Sequence, residues 1–189
     1  MLPFTRLELA DAIQRGEVTA RRHPSLPYTI YNYAADVQWT NTWNDVTLNC
    51  RGLILDDDFN IIARPWKKFF NLGQVDLPIQ FDTPVEVMDK ADGSLGILYP
   101  VHDSYFTRNI NGWAIATRGS FESDQAKHAT EIWNKKYGDH LIPMPGYTML
   151  FEIIYPANRI VLNYDGMPLT ARTLLQKMLP HLHSKQSRQ

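Results

Sequence analysis

The chain has 189 residues, 44% of them hydrophobic and 21% charged, with a formal net charge of -1. At about 150 residues per domain, this length predicts one domain, or one with an appendage, and it can bury a core without staples. The composition excludes a disordered, collagen-like or disulfide-scaffold chain, and the charge balance confines any nucleic-acid contact to a local patch.

The N-terminus carries Arg6 and Glu8 where a signal peptide needs an apolar stretch, and no apolar run reaches the roughly 18 residues of a membrane span. The single cysteine, Cys50, excludes an intrachain disulfide. These features predict an unprocessed, cytoplasmic protein with no membrane partner. Thr5-Arg6-Leu7-Glu8 fits a capping box, followed by Leu7, Ala10 and Ile13 at helical spacing and a stop at Gly16. Residues 23–27 read as a proline-marked connector, 28–33 as an aromatic strand and the polar stretch 38–49 as a loop.

The middle of the chain reads mostly as strands. Leu53-Ile54-Leu55 and Ile61-Ile62-Ala63 flank an aspartate-rich turn and predict a hairpin. Short strands are expected over 85–88, 95–99, 105–108, 113–117, 147–154 and 159–163. Between them lies one helix, capped by Ser123, with Ala126, Ala129 and Trp133 on one face and a stop at Gly138. Ala171, Leu174, Leu175, Met178 and Leu179 predict an amphipathic tail helix ended by Pro180, with a polar, frayed segment beyond. Many hairpins with few helices make the fold class α+β.

The sharpest chemical feature is Lys90-Ala91-Asp92-Gly93-Ser94, a tight turn between two predicted strands. By itself it reads equally as a plain β-turn with an exposed lysine. Its company is what matters. Upstream stand Cys50-Arg51-Gly52 and Arg64-Pro65-Trp66-Lys67-Lys68-Phe69-Phe70-Asn71; downstream stand Arg118-Gly119-Ser120 and Leu150-Phe151-Glu152-Ile153. A carboxylate inside an apolar strand is costly unless it faces a site or a partner. A lysine nucleophile for nucleotidyl transfer must lose a proton held at a reference pKa of about 10.4, and nearby cations or a metal help it do so. A triphosphate needs Arg and Lys, the leaving pyrophosphate needs Mg²⁺, a purine needs an aromatic face and a ribose needs a carboxylate. Lys90, Arg51, Lys67 or Lys68, Arg118, Phe70 and Glu152 supply those types.

On these residues the chain resembles the bacteriophage-type, ATP-dependent RNA ligases of the covalent nucleotidyltransferase superfamily. The resemblance covers residues 28–164. Lys90-Ala91-Asp92-Gly93 is similar to the superfamily's first motif, which implies that Lys90 takes AMP as a phosphoramidate, with Asp92 and Gly93 beside the nucleotide. Arg51-Gly52 and Lys68-Phe69-Phe70-Asn71 resemble the preceding segments, implying that Arg51 and Lys68 contact the triphosphate and Phe70 lies near the base. Arg118-Gly119-Ser120 resembles an element near the nucleotide, and Phe151-Glu152 the third motif, whose glutamate contacts the ribose. Asn158 to Tyr164 resemble the strand that follows. The implied fold is an antiparallel-sheet-rich, ATP-grasp-like nucleotidyltransferase domain. The implied substrates are ATP with Mg²⁺ and RNA 5′-phosphate and 3′-hydroxyl ends.

The resemblance also has gaps. After Tyr164 there is no Glu-Gly-x-Val-type fourth motif and no Lys-x-Lys fifth motif; Lys177 and Lys185 are isolated and no Glu follows Glu152. The expectation is therefore an adenylyltransferase domain over 1–164, incomplete at its C-terminus, with a divergent helical tail over 165–189. A truncated or frame-shifted reading frame explains that, as does a natural short variant. The rival functions are a defective remnant that binds nucleotide or RNA without reacting, and another covalent nucleotidyltransferase such as a DNA ligase or capping enzyme.

Other residues read more plainly. No histidine pair has zinc-site company, Asp56-Asp57-Asp58 reads as a solvated hairpin turn, and Cys50 as a small buried residue. Tyr31, Tyr33, Trp39 and Trp43 suit base stacking and ordinary packing equally well.

Overall fold

The computed structural model describes residues 1–75, 82, 84, 87, 90–101, 112–141, 143–144 and 146–155. The expected strands over 105–108 and 159–163, the tail helix and nearly all of 85–88 lie outside them.

The described residues form two antiparallel sheets. The first runs β1 (Val18–Arg22), β2 (Tyr28–Tyr33), β3 (Arg51–Asp56) and β4 (Ile61–Ala63) in that spatial order. The second has β5 (Ser94–Pro100) at its centre, between β6 (Trp113–Thr117) and β7 (Leu150–Ile153). Helix α1 (Arg6–Gln14) and the short α2 (Ala35–Thr40) and α3 (Asp45–Asn49) belong with the first sheet. Helix α4 (Asp124–Ile132) runs into one π-helical turn (Trp133–Tyr137) that ends at Gly138 and packs on the second sheet. The α+β class expected from the sequence holds.

Period-2 alternation builds three cores from these strands. Leu53, Leu55 and Val18 face α1 and α3, against Leu9, Ala12 and Val46. Ile30, Ile54 and Ala63 face the second sheet and meet Ile97, Tyr99, Ala116 and Leu150. Leu98, Trp113, Ile115, Phe151 and Ile153 face the other way and bury Ala129 and Trp133. The result is four layers: helices, sheet, sheet, helix. Each fully buried Leu or Ile contributes about 1.5–3 kcal/mol, so these three clusters carry the fold.

Helix α1 starts as expected: the Thr5 amide donates to Glu8 Oε2 at 2.6 Å and the Glu8 amide donates back to Thr5 Oγ1. Its buried stripe differs, however. Leu9, Ala12 and Ile13 pack inward, while Leu7 is 80% exposed. The stripe is set by where β1 and β3 lie, and both spacings fit a helix. The expected loop over 38–49 is also corrected, because it holds the end of α2 and all of α3. Asn44 and Thr47 form a reciprocal capping box there, with both bonds at 2.9 Å. Such short helices show no hydrophobic period, and an Asn-Thr box lacks the usual Glu or Gln. Strand β1, with four of its five residues exposed, gives no alternation signal either. Strand β7 is shorter than the expected 147–154. In the β3–β4 turn, Asp56 Oδ1 accepts the amides of Asp58 and Asn60, and Asp57 pairs with Arg22.

Candidate nucleotide site

Strand parity explains how the charged residues meet. On β7, Glu152 shares its face with Leu150, so it points into the layer between the sheets, opposite Leu95 of β5. One residue past β6, Arg118 follows the parity of Ala116 and reaches Tyr33 of the first sheet. Arg51 does not follow so simply. Leu53 and Leu55 face the helices, so strict alternation sends Arg51 there too. A bulge prevents this. Tyr31 pairs with Leu53 but Asn32 pairs with Arg51, leaving Gly52 unpaired. Cross-strand partners share a face, so Arg51 joins Asn32 and Ile30 on the inter-sheet side. Gly52 sits at φ +88°, and a Cβ there would lie 2.4 Å from Ile97 Cδ1. Only glycine meets both demands.

The first-motif turn docks on β7. The Gly93 amide donates to Glu152 Oε1 at 2.9 Å. A Cβ on Gly93 would lie 2.4 Å from the Ile153 carbonyl oxygen, so this residue too must be small. Burial raises the Glu152 carboxyl above the ordinary glutamate range, against the Gly93 amide and the charges of Lys90 and Arg51, while Asp92 raises it further. Lys90 and Asp92 are thus within electrostatic reach of Glu152, and Lys90 is exposed.

Three cations collect opposite. Burial lowers the Arg51 pKa, and the charge of Arg118 lowers it further. Burial also lowers Lys68, with Arg51 and Arg118 adding to the effect. Among the described residues, the ion pairs are those of Arg15, Arg22 and Lys135, and none includes Arg51, Lys68 or Arg118. Aromatic rings hold them instead. Arg51 lies 4.9 Å from the Phe69 centroid, Arg118 lies 5.1 Å from Tyr33, and Lys68 Nζ lies 4.4 Å from Phe70 and 5.5 Å from Trp43. Like charges held together without an ion pair create a positive field that attracts an anion.

A family model for T4-type ligases, described as RNA ligase, matches residues 49–186. The chain belongs to this RNA ligase family. The matched span takes in Arg51, Lys68, Phe70, Lys90, Asp92, Gly93, Arg118 and Glu152, and it continues past Tyr164. In this RNA ligase-family chain, Arg51, Lys68, Arg118, Gly93 and Glu152 come together with Lys90 and Asp92 beside them. Phe70 stands under Lys68. Two nearby cations stay apart. Arg64 turns to Asn49 Oδ1 and the Met1 carbonyl, and Lys67 is exposed. Cys50 is fully buried in the helix-side core, where burial pushes its thiol up to about 12.

Tyr33 and Trp43 were undecided by the sequence, and both belong to this cluster. Tyr31 packs against the helix-side core instead, and Trp39 is 81% exposed. The sequence signal for Tyr33 and Trp43 was their aromatic character alone.

Proposed function

We propose that this RNA ligase-family chain is an ATP-dependent RNA ligase that works through a covalent lysine–AMP intermediate. The observation that supports this most is the meeting of Arg51, Lys68 and Arg118, none of them in an ion pair, with Glu152 and the Lys90 turn. Arg51, Lys68 and Arg118 would bind the triphosphate. Glu152 already accepts the Gly93 amide through Oε1, which leaves its other oxygen for a ribose hydroxyl. Phe70 offers a ring face for the base.

In the first step the Lys90 amine, its proton passed to solvent, attacks the α-phosphorus. The N–P bond forms, the bond to the bridging α,β-oxygen breaks, and pyrophosphate leaves with the electron pair. An RNA 5′-phosphate oxygen then attacks the same phosphorus and breaks the N–P bond. An RNA 3′-hydroxyl finally attacks the activated 5′-phosphate and releases AMP. The cations stabilise the charge that builds on the phosphate oxygens, a contribution of several kcal/mol in such sites.

Among the described residues, no three His, Cys, Asp or Glu side chains converge into a protein metal cage. Mg²⁺ carried by the triphosphate would take one or two carboxylates and keep several waters. Asp92 is the carboxylate that would hold it. When bound, the ion offsets negative charge on the phosphates.

Incubation with α-labelled ATP and Mg²⁺ tests the proposal. Covalent label on the wild type and none on Lys90→Ala is expected; a labelled Lys90→Ala excludes Lys90 as the nucleophile. The second reading is a protein that binds nucleotide without reacting. ATP binding by calorimetry without any labelled protein supports it, and joining of RNA ends excludes it.

A further inference from the structure

We propose that Tyr33 and Trp43 are positioning residues that hold Arg118 and Lys68 for the triphosphate. This rests on the reading of the three cations as a triphosphate site. Arg118 is exposed at the end of its strand, and a long exposed side chain must give up much rotamer freedom to bind anything. Tyr33 is its anchor. The tyrosine is 5% exposed and rigid, its hydroxyl accepts a hydrogen bond from Arg118 Nη1 at 2.9 Å, and its ring lies beneath the guanidinium. The hydroxyl proton goes to Gln38 Oε1 at 3.2 Å, which keeps an oxygen lone pair turned to Arg118.

Trp43 extends the same wall. Its indole N–H donates to Asn41 Oδ1 at 2.8 Å, and its ring meets Tyr33 edge-on at 5.0 Å and Phe70 at 5.3 Å. Lys68 stands over the Trp43 and Phe70 rings and donates to the Phe69 carbonyl at 2.7 Å. The wall therefore links the end of β2, the α2–α3 loop, the segment after β4 and the end of β6. Rings suit this task for a physical reason. A carboxylate would fix a cation by cancelling its charge, whereas an aromatic face fixes it and leaves the charge for a phosphate. A site held in place beforehand binds its ligand with less loss of side-chain entropy.

The test is calorimetry of the full chain with sodium tripolyphosphate, joined to adenylylation kinetics. Tyr33→Phe keeps the ring and removes one hydrogen bond to a charged group, so binding should weaken about tenfold. The KM for ATP should rise by about the same factor and kcat should fall by less, since Arg118 keeps its charge and loses only its anchor. In an Arg118→Met background, Tyr33→Phe should cost nothing more. Trp43→Leu should weaken binding as well. Wild-type binding of tripolyphosphate by Tyr33→Phe, or fully additive effects of the Tyr33 and Arg118 changes, overturns the positioning role alone. Failure of the wild type to bind tripolyphosphate overturns the triphosphate reading itself, and the positioning role with it.

Discussion

Among the described residues, two aromatic clusters behave differently. In one, His23, Tyr28, Tyr99 and Phe121 meet edge-to-face at 4.7–6.4 Å, and His23 Nε2 lies 3.2 Å from the Tyr99 hydroxyl. Burial lowers the His23 pKa and raises that of Tyr99, as in a dry, neutral packing unit. In the other, Tyr33, Trp43 and Phe70 meet at similar distances, but Arg118 and Lys68 stand on their faces. Among the described residues, the single cation–ring contact away from this site and its neighbour Phe69 is Arg6 over Phe59, on the outer surface. Ring density therefore does not mark a site. What sets the candidate site apart is several cations gathered on one set of rings without an ion pair among them.

This contrast can be broken by experiment. The largest effect is expected at the charged cluster. Arg51→Met should lower the adenylylation rate by about 100-fold or more, the scale of losing a cation that stabilises transition-state charge. Its melting temperature should hold or rise, because the guanidinium is desolvated and lies in the repulsive field of Arg118, which outweigh the attraction of Glu152. Unchanged labelling of Arg51→Met by α-labelled ATP removes Arg51 from the site. Next comes the neutral cluster. Phe121→Ala should cost about 3–5 kcal/mol in denaturant unfolding, by loss of buried contacts, with no change in the KM for ATP of the folded protein. A KM that rises with the instability would show that the clusters are one unit.

The smallest effect is a pH dependence. Burial raises the Glu152 carboxyl, so the folded protein keeps that proton to higher pH than the unfolded chain does. The group's contribution to stability is fully present below the ordinary glutamate value of about 4.3 and is lost as pH rises through the raised one. Glu152→Gln should therefore melt higher than the wild type at pH 7, and the difference should close on acidification toward pH 4. ATP binding should weaken at the same time. Parallel melting curves across that pH range would show that the carboxylate carries no such cost.

The strands that bury both faces were legible as unbroken apolar runs bounded by turn residues: Leu53-Ile54-Leu55, the Asp56 turn, residues 113–117 and the Ser123 cap all appear as expected. Helix α3 and strand β1 were not, since one is too short for a period and the other too exposed. In the site, the residue types and their order were legible from Lys90, Arg51, Lys68, Arg118 and Glu152. Their common face was not. Alternation from Leu53 turns Arg51 toward the helices, and only the unpaired Gly52 reverses it.

The amino-acid order by itself determined the α+β class, the capped helices at Thr5 and Ser123, and the motif series that places this chain among the RNA ligases. These follow from short-range patterns, which a linear sequence carries in full. The tertiary structure alone decided that Gly52 turns Arg51 inward, that Glu152 takes the Gly93 amide, and that Tyr33 and Trp43 hold two cations. Tyr33 and Arg118 are 85 residues apart, and Gly93 and Glu152 are 59 apart. No local pattern records such pairs, because the first exists only where the two sheets meet and the second only where β7 pairs with the start of β5.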